Sequence, residues 1–465
     1  VLKFANSLQY PWGGHMPKAK RNPSSSDNQQ IVDMILEFLN EVGVAGLTAS
    51  LPRDRGQLSV WNYHVSDWTQ DGSRVKQPIV MIDDVARRFF SLRESVYAIL
   101  TKEKLKKGSI AISEKSVKAV LEQCVARFVW HSERGAGMQP QESVAKFLKE
   151  ALLSQPRSHT VLVPVYGLHV NEPVEFRGSR YSRPVDCPEY VDRTSKIFDG
   201  VELGMADARG AELNSGFDVI VRVECKARFV DDAIHGAKEK VSRDLAVLRY
   251  SAYRAFREPP HLSVPGVVSW ERKQHNLSTV AFDDRDQGVI QIAAFSTGAT
   301  VPLNLKSWNE SRWSSAVLTV HDISLSNDKS VASSLLDALT WLGRSTVQED
   351  DATKLLFQIT ALESLLPLDG KDEKTHQVSL QTTVLGGMAG SSRSDTYELI
   401  KRAYGVRSAV VHGSRMTTSK YEPERVSRLL DRIVDFLLFD EKGKGLLGLS
   451  VDDFRMELMT KLFEQ

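Results

Sequence analysis

The sequence predicts a multidomain α+β protein: a helical N-terminal region, a central α+β region with a mostly antiparallel sheet, and an all-helical C-terminal bundle. Three observations carry this. Apolar residues recur at helical spacing through much of the first third, short β-branched runs fill the middle, and helical spacing returns and persists to the end. The expected boundaries are 16–155, 156–326 and 327–465, with residues 1–15 set apart as a tag or leader.

That leader, VLKFANSLQYPWGGHM, ends in what looks like a cloning junction at His15-Met16. It has no basic segment followed by an apolar one, so a secretory signal is not expected. Residues 18–30 are polar and read as a flexible arm. IVDMILEFLNEV (31–42) is helical in period, with Asp27 as a candidate N-cap. Residues 78–105, 116–130 and 142–153 repeat the helical pattern, and Leu58–Trp68 reads as a possible strand.

From Pro156 the chain turns to strand-like runs: TVLVPVYGLHV, FDVIVRVECKARFV, GVVSW, STVAF, GVIQIAAFS and SAVLTVHDISL. A helix over 233–257 interrupts them. After about Asn327 every segment has amphipathic helix spacing, and Gly, Pro or acidic turns divide the helices.

With 465 residues, the chain can bury a large core without covalent staples. Its net charge of +1 leaves any nucleic-acid footprint to local patches. The three cysteines, Cys124, Cys187 and Cys225, form no CxxC pair, which argues against a zinc site or a disulfide framework and for a reducing compartment. The expected location is the cytoplasm. No apolar run reaches the roughly 18 residues of a membrane span. Neither HExxH nor a Walker or GxGxxG loop occurs, so no metal and no cofactor is expected.

The strongest chemical signal lies in YGVRSAVVHGSR. Arg407 and His412 are separated by Ser408-Ala409-Val410-Val411, with Tyr404 before them and Gly413 after. An upstream helix carries Leu362-Glu363-Ser364-Leu365-Leu366. This combination resembles the HEPN superfamily, and within it the ApeA-like branch, over residues 330–465. The resemblance implies a metal-independent endoribonuclease that works as a homodimer, with RNA (tRNA among the candidates) as substrate and Arg407 and His412 as catalytic residues. It also implies a role in prokaryotic antiphage defence or toxin-like growth arrest, triggered by a phage-derived activator. One departure stands out: VSLQTTVLGGMAGSSR lacks the basic residue expected there, so its role in substrate binding is either vacant or moved to Arg393.

The residue chemistry points the same way. Histidine titrates near neutrality and suits proton transfer at the 2′-hydroxyl or the leaving 5′-oxygen. Arginine's charged fork suits the phosphate between them. Ser408, Glu363 and Tyr404 are candidate supporting residues, and Arg402, Arg415 and Arg393 are candidate RNA contacts. Between Arg393 and Arg432 nine basic residues face five acidic ones, a local excess of four. Residues five apart lie about 140° apart around a helix. The pair therefore fits a composite site at a two-fold interface better than one narrow stripe.

Other interpretations remain open at this point. Arg407 could pair with Glu363 purely as a structural element, and His412 could cap a helix end. The bundle would then be a non-catalytic dimerisation or RNA-binding module. Glu224-Cys225-Lys226, with Asp207 or Asp218, weakly resembles a Mg²⁺-dependent PD-(D/E)xK nuclease core. Trp61, Tyr63 and Trp68 could stack on bases, although half-buried strand aromatics are the favoured reading.

Overall fold

The computed structural model describes residues 25–47, 58–61, 79–101, 112–134, 139–151, 156–190, 219–256, 266–267, 275–283, 288–295, 303–348, 350–368, 374–411 and 421–464. Among these, helix predominates over a small sheet. The main strands are β3 (Arg157–Tyr166), β5 (Val174–Phe176), β6 (Ser179–Ser182), β7 (Val219–Ala227), β8 (Gly266–Val267), β9 (His275–Asp283) and β10 (Gly288–Phe295). They run in the order β10-β9-β3-β7-β6-β5, with β8 on β3. The β5–β6, β6–β7 and β3–β8 pairs are antiparallel. A short β4 (Leu168–His169) pairs in parallel with β11 (Leu303–Asn304).

The chain divides into two compact units. The first holds residues 1–161, 224–236 and 281–289; the second holds 162–223, 237–280 and 290–465. In the first, α1 (Ser25–Leu47), α2 (Asp83–Leu100), α3 (Glu114–Arg134) and α4 (Pro140–Ala151) enclose one apolar core. Ile31, Ile35 and Leu39 of α1 recur every fourth residue and are buried with Phe89, Val96, Leu121, Cys124 and Leu148. Ser113 caps α3 by accepting from the Ser116 amide at 3.1 Å.

Two local expectations change here. Helix α1 begins at Ser25, inside the stretch read as a polar arm, so Asp27 lies in its first turn. The run IVMI at Ile79–Ile82, read as the start of a helix, is strand β2 and pairs with β1 (Leu58–Trp61). Its consecutive apolar residues fit a short strand as well as a buried helix turn, and pairing with β1 decides between them. Tyr63 and Trp68 lie outside the described residues.

In the second unit, helices follow one another after β11: α6 (Leu305–Asn309), α7 (Arg312–Ser326), α8 (Val331–Ser345), α9 (Asp351–Leu365), α10 (Lys374–Met388), α11 (Arg393–Val411), α12 (Tyr421–Phe439), α13 (Glu441–Leu447) and α14 (Val451–Phe463). SAVLTVHDISL, expected as a strand, belongs to helix α7. Ser311 caps it, and Trp313, Val317 and Val320 are buried on one face. Those positions satisfy a helical period that the local alternation of polar and apolar residues had masked.

Helix α9 packs against α8, α11 and α12, which makes it the central helix of the bundle. Helix α5 (Val230–Phe256), expected over 233–257, belongs to this unit from Ala237 onward. There Tyr250 donates to Asp431 Oδ1 at 2.7 Å, and Arg254 pairs with both Asp431 and Asp435 at 2.5 Å. Trp313 sits edge-on between Tyr250 and Phe439. Gly343 of α8 lies against the Ala246 backbone of α5, where a Cβ would stand 1.8 Å from the Ala246 carbonyl oxygen.

Candidate active site in the C-terminal helices

Two helices position the site. Asp350 caps α9 by accepting from the Thr353 amide at 2.8 Å. Leu355, Ile359 and Leu362 then face the core, and Glu363 emerges beside them at the helix edge. Ser392 starts α11, which buries Thr396, Leu399, Ile400, Ala403, Tyr404 and Val406. Tyr404 and Arg407, three residues apart, share a side of α11. That side faces Glu363.

The Glu363 carboxylate divides its two oxygens between them. Tyr404 donates its hydroxyl to Oε1 at 2.8 Å, and Arg407 Nη2 donates to Oε2 at 3.1 Å. The Arg407 guanidinium also lies 5.4 Å from the Tyr404 ring centroid, within cation–π range. Burial, followed by the hydrogen bond to Glu363, pushes the Tyr404 phenol up to about 12. It is therefore a neutral donor at physiological pH.

Arg407 contacts Glu363 through one nitrogen, and its Nε–H is buried without a hydrogen-bond partner among the described residues. The side chain as a whole remains 27% exposed. The guanidinium is thus anchored at one end and keeps unused donors, an arrangement able to receive an anionic oxygen. Ser408 is half-buried in the same last turn. Helix α11 ends at the exposed Val411. His412, Gly413 and Arg415 lie outside the described residues.

The expected RNA contacts are spread along α11. Arg402 is exposed, with Nε 3.8 Å from Glu422 Oε1. Arg393 stands at the other end of the helix, fourteen residues before Arg407 and about 21 Å away along the axis. It packs on Gly387 and donates to the Lys461 carbonyl at 3.3 Å. An aromatic and basic group not anticipated from the sequence lies nearer that end. The Tyr397 hydroxyl is 3.4 Å from His376 Nδ1, and Lys401 Nζ lies 5.9 Å over the Tyr397 ring. The spacing Tyr397, Lys401, Tyr404, Ser408 (i, i+4, i+7, i+11) was the available signal.

On β7, Glu224 accepts from the Thr160 hydroxyl at 2.9 Å and shares the exposed face with Lys226. Asp207 and Asp218, its suggested partners, lie outside the described residues. No group of three or more His, Cys, Asp or Glu side chains among the described residues is placed to hold a metal ion. No helix among them is long and apolar enough to cross a membrane. No protein-family model, curated protein or solved structure matches the chain.

Proposed function

We propose that the chain is a metal-independent endoribonuclease of HEPN type, with Arg407 and His412 as its catalytic pair. The observation that carries this reading is Glu363, which fixes Tyr404 and Arg407 together at the end of α11 and leaves Arg407 donors uncommitted. His412 is the next residue after that helix.

In the reaction, His412 accepts the proton of a 2′-hydroxyl. The 2′-oxygen attacks the adjacent phosphorus, the bond to the 5′-oxygen breaks, and that oxygen leaves with the proton that the His412 imidazolium returns. The products are a 2′,3′-cyclic phosphate and a 5′-hydroxyl. Arg407 supplies the charge that stabilises the phosphorane-like transition state, and Glu363 holds its orientation. A second copy of the chain brings a second Arg407/His412 pair, and the site is composite at that interface. RNA (tRNA included) is the substrate. The preceding regions restrain the nuclease until a phage-derived trigger arrives, in antiphage defence that ends in growth arrest.

A competing reading rests on the same contact. Glu363 offsets the Arg407 charge, as expected if the bundle only dimerises or holds RNA. Incubating the full chain with tRNA in excess EDTA separates the two. Cyclic-phosphate products that disappear in His412→Ala and Arg407→Ala support the nuclease. RNA binding without cleavage supports the module, and cleavage lost to EDTA and to Lys226→Ala points to the Glu224/Lys226 strand.

A further inference from the structure

Away from Glu363 and Arg407, a group of polar side chains, with Asp244, Tyr181 and Ser179 buried and Arg177, Lys240 and His321 partly exposed, gathers where the β5–β6 hairpin meets α5, α7 and α8. The hairpin turn is Arg177-Gly178, with both residues at positive φ (49° and 70°). A two-residue turn between Phe176 and Ser179 requires such values, and Gly, Asn or Asp usually supplies them. Arginine at the first position is sterically costly, and its side chain is what the position gains.

Arg177 Nη1 lies 3.0 Å from Asp244 Oδ1, on a side chain only 2% exposed. Lys240 Nζ reaches the other oxygen of Asp244 at 3.0 Å, and it also donates to the Arg177 carbonyl at 2.8 Å and to Ser179 Oγ at 2.5 Å. His321 of α7 and Asp337 of α8 are within electrostatic reach of Arg177, and Arg243 is within reach of Asp337. Exposed Asp322 follows His321. Burial, then Arg177, hold the His321 imidazole below its ordinary value, so it is neutral at pH 7.

Several groups here have no hydrogen-bond partner among the described residues: Arg177 Nε, the Tyr181 hydroxyl and His321 Nδ1. Tyr181 is fully buried. A buried donor without an acceptor is costly, and native proteins pair nearly all of them with protein, water or ligand. Both oxygens of Asp244 are already engaged by cations. The cluster thus presents donors and positive charge, while its buried carboxylate is occupied.

We propose that this cluster binds a small oxyanion, with a phosphate group as the favoured ligand, held by Arg177 and the Tyr181 hydroxyl with Lys240 and His321 at its edge. Arginine's planar fork suits a tetrahedral oxyanion. Such a site gives the chain a small-molecule input separate from Arg407, and it stands whether or not the chain cuts RNA.

Thermal melts of the full chain with inorganic phosphate, acetate or chloride at matched ionic strength test it. Phosphate should raise the melting temperature saturably where chloride does not; a rise with acetate alone would identify a carboxylate as the ligand group. Tyr181→Phe keeps the ring and should fold, yet bind phosphate at least tenfold more weakly. Arg177→Asn, tolerant of positive φ, should lose the response as well. Arg407→Ala should respond like the wild type. The proposal falls if no oxyanion shifts the melt beyond chloride, if Tyr181→Phe responds as the wild type does, or if Arg407→Ala abolishes the shift.

Discussion

Tyr404 and Arg407 are tied to each other through one carboxylate: Glu363 takes the phenol on one oxygen at 2.8 Å and the guanidinium on the other at 3.1 Å. Either donor alone would leave the carboxylate free to rotate. Together they fix the plane of Glu363 and the direction of Arg407.

This bridge makes Tyr404→Phe informative. Losing one hydrogen bond should cost about 1 kcal/mol of stability in a denaturant titration. If the chain is the nuclease proposed above, RNA cleavage should fall while RNA binding changes little, because Tyr404 acts through Glu363. Glu363→Gln should lower cleavage further, since the amide cannot hold the guanidinium by charge. Wild-type cleavage in Glu363→Gln would sink the positioning role.

Stability should also respond to Tyr404 in alkali. Its folded-state phenol is raised to about 12 against an ordinary value of 10.0. Between those values the folded state retains the proton and the unfolded chain loses it. The stabilisation is therefore complete below about pH 10 and is lost as pH rises through about 12. Tyr404→Phe should flatten that part of the pH–stability curve.

Gly343→Ala tests the packing of α8 on α5. The added Cβ would meet the Ala246 carbonyl oxygen at 1.8 Å and its carbon at 2.4 Å, and backbone atoms cannot swing aside. The expected cost is about 3 kcal/mol, at the upper end for overpacking, read as a lower denaturation midpoint. A midpoint equal to wild type would mean that the two helices do not approach so closely.

Tyr250→Phe probes the polar link between α5 and α12. Tyr250 donates to Asp431 at 2.7 Å, and burial raises the Asp431 carboxyl despite the adjacent Arg254. Removing the donor should cost about 1–2 kcal/mol. Asp431→Ala should cost more, because the half-buried Arg254 would keep only Asp435.

The cysteines should be slow to alkylate in the folded state. Burial pushes the Cys124 thiol far up, and burial followed by Glu224 raises Cys225 to about 11. Cys187 is also raised, chiefly by burial. Iodoacetamide at pH 7.5 should label all three far faster in denaturant than in native buffer. Rapid native labelling of Cys124 would contradict the described core of the first unit.

The broad division into helix-rich and strand-rich stretches was legible in the residues alone, because apolar periodicity is a local property written every few residues. So was the placing of Tyr404 and Arg407 on one side of a helix, since i,i+3 spacing leaves little choice. Where two periods fit the same letters, neighbours decided. Ile79–Ile82 became a strand by pairing with Leu58–Trp61, and Ala316–Leu325 became helical as Trp313, Val317 and Val320 found one buried face. Which oxygen of Glu363 meets which donor depended on the packing of α9 against α11, across more than forty residues of chain. The Arg177, Tyr181 and Asp244 cluster left no local signature beyond an unusual Arg-Gly turn. Only tertiary structure brings an arginine from a hairpin to a buried aspartate on a distant helix and leaves donors there without acceptors, because desolvation acts on whatever the fold encloses, whatever its position in the chain.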